Sequence, residues 1–215
     1  MYKTEVLENA ISDSDIEKIN VLIDEHLKSE NVDIVTSGVG SYYDVGHSAT
    51  LLINNLIEKL PNEMLGIRML DAICPGGPHP DTSPPNNSDN TNYIFPNFAR
   101  TFIIPLSDCD TNTIVFNEHI PNEVMATHHP TGQNVTEYVE TKLQRIGDTI
   151  DDETRNKYLS HVSPSFCSHI SIDKIFPWKK GSMLIFDRKI LHCSDNYSID
   201  NLKVRRGLVI WSEIK

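Results

Sequence analysis

Apolar residues along this chain recur first at helical spacing and later in short, nearly continuous runs. Ile16, Ile19, Leu22, Ile23 and Leu27 fall on one helical face, and Ser12 and Asp13 before them supply the hydroxyl and carboxylate that start helices. A second helix is expected from His47 to Leu60, with Leu52, Leu56 and Leu60 on one stripe and Pro61 after its end. From residue 65 onward the texture changes. "LGIRMLDAIC" (65–74), "ARTFIIPLS" (99–107), "NTIVFNE" (112–118), "GSMLIFDRKILH" (181–192) and "VRRGLVIWSEI" (204–214) are short and apolar, rich in β-branched and aromatic residues, with turn residues between them. Most have no helix between them, which points to antiparallel pairing in a sandwich or barrel. A polar insertion, about 120–176, interrupts them and carries helical pieces near "VTEYVETKLQRIG" and "DDETRNKYLS". The pattern predicts one domain over 1–215, mainly β with flanking helices: a helical layer at 1–64 packed on a β core at 65–215.

A chain of 215 residues can bury one substantial core. Nineteen basic against thirty acidic side chains leave a formal net charge of −11, which disfavours a protein that grips duplex nucleic acid by neutralising phosphates. The charge is uneven. From Trp178 to Lys215 there are eight Lys/Arg against four Asp/Glu, a cationic island suited to a small anionic ligand, or simply a cluster of solvated side chains. The four cysteines (74, 109, 167, 193) lack C-x-x-C spacing, and "MYKTEVLENAISDSD" lacks the apolar stretch of a secretory signal. Reduced thiols in a cytoplasmic setting are the expectation. No run reaches the roughly 20 apolar residues of a membrane span, so no membrane partner is expected.

Candidate chemistry begins in "PGGPHPDTSPPN" (75–86). His79 and Asp81 are one residue apart, so in extended backbone their side chains project to the same side and can reach a common ion. His192, in phase with Leu184, Phe186 and Ile190, is either a core histidine bonded to backbone or a third ligand. Two imidazoles and one carboxylate on one face of a metal leave the opposite face open, as in non-haem iron(II) oxygenases, although zinc, manganese and cobalt also accept such ligands. Thirteen residues beyond His192, "RRGLVIW" (205–211) is apolar on both faces, Val209 and Trp211 on one and Leu208 and Ile210 on the other. At least one of Arg205 and Arg206 then needs an anionic partner inside, from the protein or from a ligand carboxylate. His128 and His129 are adjacent, which points them apart on a strand, and they read as loop residues. Cys193 reads as a small packing residue.

"HPD" (79–81), "WKKGSMLIFDRKILHCSDN" (178–196) and "RRGLVIW", in that order, resemble the iron(II)- and 2-oxoglutarate-dependent oxygenases, nearest to the branch with prolyl hydroxylases and small viral or bacterial hydroxylases. "FIIPLSDCDTNTIVFNE" (102–118) resembles that family's central strand pair, and the likeness spans roughly 66 to 212. It implies a double-stranded β-helix, the cupin-like jelly roll. It implies iron(II) on His79, Asp81 and His192. It also implies 2-oxoglutarate as co-substrate, its far carboxylate on Arg205, with ascorbate as an auxiliary reductant. The implied reaction is hydroxylation of a small-molecule or peptidyl substrate with release of succinate and carbon dioxide. The family's common tyrosine on the central strand is missing: Thr101, Phe102, Ile103 and Ile104 stand there, which leaves the second co-substrate anchor open. A non-catalytic metal- or ligand-binding jelly roll is the alternative, and a zinc-dependent hydrolase a third reading. The loop 82–92 and the 120–176 insertion are expected to cover the mouth of the site.

Overall fold

The structure, a computed structural model, describes residues 3–28, 32, 34–37, 40–56, 63–81, 98–121, 133–197 and 205–213. The chain runs β1 (Glu5–Leu7), α1 (Asp13–Leu27), β2 (Ile34–Ser37), β3 (Gly40–Asp44), α2 (Gly46–Leu56), β4 (Glu63–Ala72), β5 (Phe98–Pro105) and β6 (Asn112–His119). Then follow α3 (Gln133–Lys142), α4 (Asp152–Tyr158), α5 (Pro164–Cys167), β7 (Ile172–Pro177), β8 (Met183–Asp187), β9 (Ile190–Ser194) and β10 (Arg205–Glu213).

The strands form two antiparallel sheets. The larger has the order β1-β8-β5-β10-β4-β3-β2, the smaller β7-β6-β9. His79 extends the smaller sheet by an isolated antiparallel bridge to His192 on β9. From β4 onward the chain therefore alternates between sheets: β4 large, His79 small, β5 large, β6 and β7 small, β8 large, β9 small, β10 large. That alternation is the double-stranded β-helix.

Each sheet has two faces, and both are covered. Ser12 caps α1 by accepting from the Asp15 amide at 3.2 Å, and Asp13 and Asp15 in the first turn face the positive end of the helix dipole. Ile16, Ile19 and Ile23 of α1 and Ala49 and Ile53 of α2 then pack on Met69, Phe102, Ile104, Leu208 and Ile210 of the large sheet. The alternate residues of the same strands turn inward. Ile103, Leu184 and Phe186 meet Val115, Phe176 and Ile190 between the sheets. On the far side of the small sheet, Val135, Val139, Leu159 and Phe166 of the insertion cover Ile114, Phe116, Leu191 and Cys193.

Several expectations are corrected. "SMLIFDRKILH" is two strands in different sheets, because the Asp187 carboxylate accepts from the Lys189 amide (3.0 Å) and turns the chain across. The two-residue turn keeps the parity, so Leu184, Phe186, Ile190 and His192 still face inward. The buried positions of α2 are Gly46, Ala49 and Ile53 rather than the leucine stripe; Leu52 and Leu56 are only partly buried, and Leu60 lies outside the described residues. The N-terminal layer holds three strands besides its helices, and the end of the predicted insertion, from Ile172 onward, belongs to β7. The helices α3–α5 buttress the outer face of the small sheet. The loop 82–92 lies outside the described residues.

Candidate metal and anion site

Backbone pairing brings the distant candidates together. The His79 amide donates to the His192 carbonyl and the His192 amide to the His79 carbonyl, both at 3.0 Å, and the Asp81 amide donates to the Arg188 carbonyl at 3.0 Å. The His-x-Asp segment is thus stitched along β9 and its entry turn. Upstream, the Gly76 amide donates to Ser194 Oγ at 2.8 Å and fixes the approach of the loop.

The side chains converge as a result. One ligand atom from each of His79, Asp81 and His192 lies within 4.8 Å of the others, and His192 Nε2 is 3.8 Å from Asp81 Oδ1. Each imidazole is oriented by the carbonyl two residues before it: His79 Nδ1 lies 2.8 Å from Gly77 O, and His192 Nδ1 3.3 Å from Ile190 O. A proton held on each Nδ1 leaves the Nε2 lone pairs for a cation. Burial lowers the His192 pKa to about 4, against the opposing pull of Asp81, so this imidazole is neutral at pH 7 and ready to ligate. Asp81 Oδ2 accepts from the buried Thr101 hydroxyl at 2.5 Å, which leaves Oδ1 to face the histidines.

One cavity joins this cluster to Arg205. It is lined by Tyr42, Thr113, Trp178, Val209 and Trp211 besides His79, Asp81, His192 and Arg205. Register explains the composition. On β10, Arg205, Gly207 and Val209 pair with Ala72, Leu70 and Arg68 of β4, so this row faces inward and the row of Arg206 faces the helices. Arg206 accordingly meets Asp71 at 3.0 Å and Asp24 at 2.9 Å. Arg205 is buried, 4% exposed, and forms no salt bridge among the described residues, although the Asp195 carboxylate and the Tyr197 hydroxyl lie within electrostatic reach. Its Nη2 donates to Thr113 Oγ1 (2.6 Å) and Asn112 O (3.2 Å), its guanidinium lies 3.9 Å from the Trp178 ring centroid, and its Nε–H has no acceptor. Gly207 makes the stacking possible: a Cβ there would come within 2.5 Å of the Trp178 ring. The indole N–H groups of Trp178 and Trp211 are likewise buried without an acceptor.

Sequence reasoning missed Tyr42, Thr101, Thr113 and Trp178. Tyr42 lies within electrostatic reach of both Asp81 and Arg205; burial, then Asp81, pushes its phenol up to about 12, so it stays protonated and able to donate. "GSYYD" carries no signal that would single it out. Cys193 is buried in the outer cluster, and His128 and His129 lie outside the described residues.

The fold and this cavity define a double-stranded β-helix with a His-Asp-His cluster and a buried guanidinium in one pocket. No protein-family model and no curated protein matches the sequence. Solved structures share the fold. The non-haem alpha-ketoglutarate-dependent carbocyclase SnoK from nogalamycin biosynthesis superposes with a TM-score of 0.56 at 14% identity, over 98% of this chain and 79% of that one. The non-haem alpha-ketoglutarate-dependent epimerase SnoN from the same biosynthesis gives 0.55 at 14% identity, over 98% and 78%. A complex of SnoN with Fe3+, alpha-ketoglutarate and nogalamycin RO gives 0.52 at 14% identity, over the same shares. Among the described residues, no helix is long and apolar enough to cross a membrane.

Proposed function

We propose that the chain is a non-haem iron(II)- and 2-oxoglutarate-dependent oxygenase that hydroxylates a small-molecule or peptidyl substrate. The observation that carries this is the buried guanidinium of Arg205, which forms no salt bridge among the described residues and keeps an unpaired Nε–H, in the same cavity as His79, Asp81 and His192. Two imidazoles and one carboxylate suit iron(II) and leave positions open for a chelating co-substrate and oxygen. Orphaned donors at Arg205 Nε and the two indoles suit an oxygen-rich ligand.

The spacing fits as well. Arg205 is held by Thr113, which pairs with Ser194, whereas His192 pairs with Val115 two residues along β6. That step is about 7 Å along the strand, a separation suited to a five-carbon dicarboxylate with one end on the metal and the other on Arg205.

His79, Asp81 and His192 would hold the iron. Bound iron(II) supplies oxygen activation coupled to decarboxylation of 2-oxoglutarate to succinate and carbon dioxide. Arg205 would take the far carboxylate in a charge-assisted fork, preorganised by Trp178 and Thr113. Tyr42, reaching from β3 between Asp81 and Arg205, would donate to the co-substrate in place of the tyrosine missing from the central strand. Burial of this end keeps bulk water from the charged contacts and strengthens them. Four cysteines present as thiols accord with a cytoplasmic enzyme.

The test is to supply iron(II), 2-oxoglutarate, ascorbate and air, measure succinate, and screen a substrate library for stimulated turnover and products gaining one oxygen. Succinate formation supports the proposal. Metal binding without succinate would favour a non-catalytic binding protein, and turnover without 2-oxoglutarate a zinc-dependent hydrolase.

A further inference from the structure

We infer that Thr101 is a positioning residue for the metal-ligating carboxylate, holding Asp81 to one-oxygen ligation so that a coordination position stays open. The inference rests on the reading of His79, Asp81 and His192 as a metal site.

Thr101 sits on β5 with none of its surface exposed. Its cross-strand neighbours are Phe186 and Trp211, and Phe186 in turn lies 4.6 Å, ring to ring, from His192. By packing alone this is a place for valine, which has the same shape and suits a buried strand better. The hydroxyl is explained by its partner: Thr101 Oγ1 donates to Asp81 Oδ2 at 2.5 Å. The two carboxylate oxygens are therefore different. Oδ2 is engaged by the strand, while Oδ1 faces His192 Nε2 at 3.8 Å.

This difference matters for coordination. His79, Asp81 and His192 would hold the metal with positions left open for a chelating keto acid and for oxygen. A carboxylate bound through both of its oxygens would compete for those open positions. The Thr101 hydrogen bond opposes two-oxygen binding because Oδ2 would have to exchange a buried, charge-assisted bond for the metal. The Asp81 amide is tied to the Arg188 carbonyl at 3.0 Å, which restrains the backbone that carries the carboxylate. Ligands oriented in this way by outer partners commonly lose about 10- to 100-fold in metal affinity when the partner is removed.

The experiment compares the unsubstituted chain, Thr101→Val and Thr101→Ser, first metal-free for folding by near-ultraviolet circular dichroism and thermal melting. Anaerobic iron(II) affinity is then measured by equilibrium dialysis. The visible band on adding 2-oxoglutarate and the spectrum of the cobalt(II)-substituted proteins report the coordination. We expect Thr101→Val to fold, to weaken iron(II) binding by about 10-fold or more, and to change the cobalt(II) spectrum. Thr101→Ser, which keeps the donor, should restore both. Unchanged affinity and spectra in Thr101→Val would overturn the inference, and so would a serine variant as impaired as the valine one. If the unsubstituted chain binds no iron(II), the metal-site reading itself falls and takes this inference with it. Normal binding in that chain beside unaltered Thr101→Val would remove the inference alone.

Discussion

Replacing Arg205 with alanine should separate co-substrate binding from folding and from metal binding. In the free protein, Asn112 O and Thr113 Oγ1 lose a donor, at a cost of about 1–3 kcal/mol. A desolvated cation also leaves the interior, which offsets part of that loss, and Trp178 keeps its packing against Gly207. The variant should therefore fold. With 2-oxoglutarate bound, the same substitution strands a buried carboxylate, and breaking such a pair costs about 3–5 kcal/mol. That corresponds to roughly two to four orders of magnitude in affinity. Anaerobic titration of 2-oxoglutarate into iron(II)-loaded protein, followed by the visible charge-transfer band, reads this directly, and iron(II) affinity in the absence of co-substrate should hardly move. Arg205→Lys should recover only part, because one ammonium cannot match two parallel hydrogen bonds to a carboxylate. Arg206→Ala is the control, since its guanidinium lies on the helix side against Asp71 and Asp24. Its stability cost should be about 1 kcal/mol, with little change in co-substrate affinity. A larger co-substrate defect in Arg206→Ala than in Arg205→Ala would refute the assignment of the inward row, and a defect below about threefold in Arg205→Ala would refute the anion site.

His79→Ala and His192→Ala should each abolish the charge-transfer band, and Asp81→Asn should weaken iron(II) binding by removing the one anionic ligand of the cluster; Asp81→Glu should be nearly as damaging because its carboxylate is displaced. A band retained in both histidine variants would remove them from the site. Metal-free stability should fall on acidification. His192 titrates at about 4 in the folded protein against 6.5 unfolded, so between those values the unfolded chain binds a proton that the folded one does not. Melts in a chelator should show a loss approaching about 3 kcal/mol from this group between pH 7 and pH 4, reduced in His192→Gln; a flat profile would contradict the buried neutral imidazole. Gly207→Ala should raise the 2-oxoglutarate requirement without touching iron(II) binding, because the new Cβ drives Trp178 off its place against Arg205.

The four central strands of the large sheet, β8, β5, β10 and β4, were legible because each is a short, mostly apolar run that the chain marks with flanking turn residues. The strands that escaped lack that signature. β1 has three residues, β3 is "GSYYD" with four partly buried positions, and β7, "IDKIFP", pairs with β6 through a bulge that breaks its alternation. The division of 181–192 into two strands escaped for a different reason. A turn of two residues preserves parity, so the hydrophobic pattern of β8-turn-β9 is that of one long strand, and only the sheet partners differ.

The residues of the site divide along the same line. His79 and Asp81 are legible because their relation is local: two positions of extended backbone aim at one point. His192 and the two arginines are legible as events on recognisable strands, but the choice of Arg205 over Arg206 rests on the family resemblance until the register of β10 sets its inward row. Which strand lies opposite is not written in any local pattern. Thr101 reaches Asp81 from β5, Thr113 reaches Arg205 from β6, and Tyr42 lines the cavity from β3, a strand with no apolar run of its own. Each of these depends on the pairing of segments distant in the chain, and a polar residue in a buried row is ambiguous until its partner is known. A threonine among Phe102, Ile103 and Ile104 looks like a strand former by composition; only the sheet register, with Trp211 on one side and Phe186 on the other, turns it toward a carboxylate. The residues of the His-Asp-His cluster are therefore legible in short sequence segments, whereas their convergence and the groups that orient them belong to the sheets.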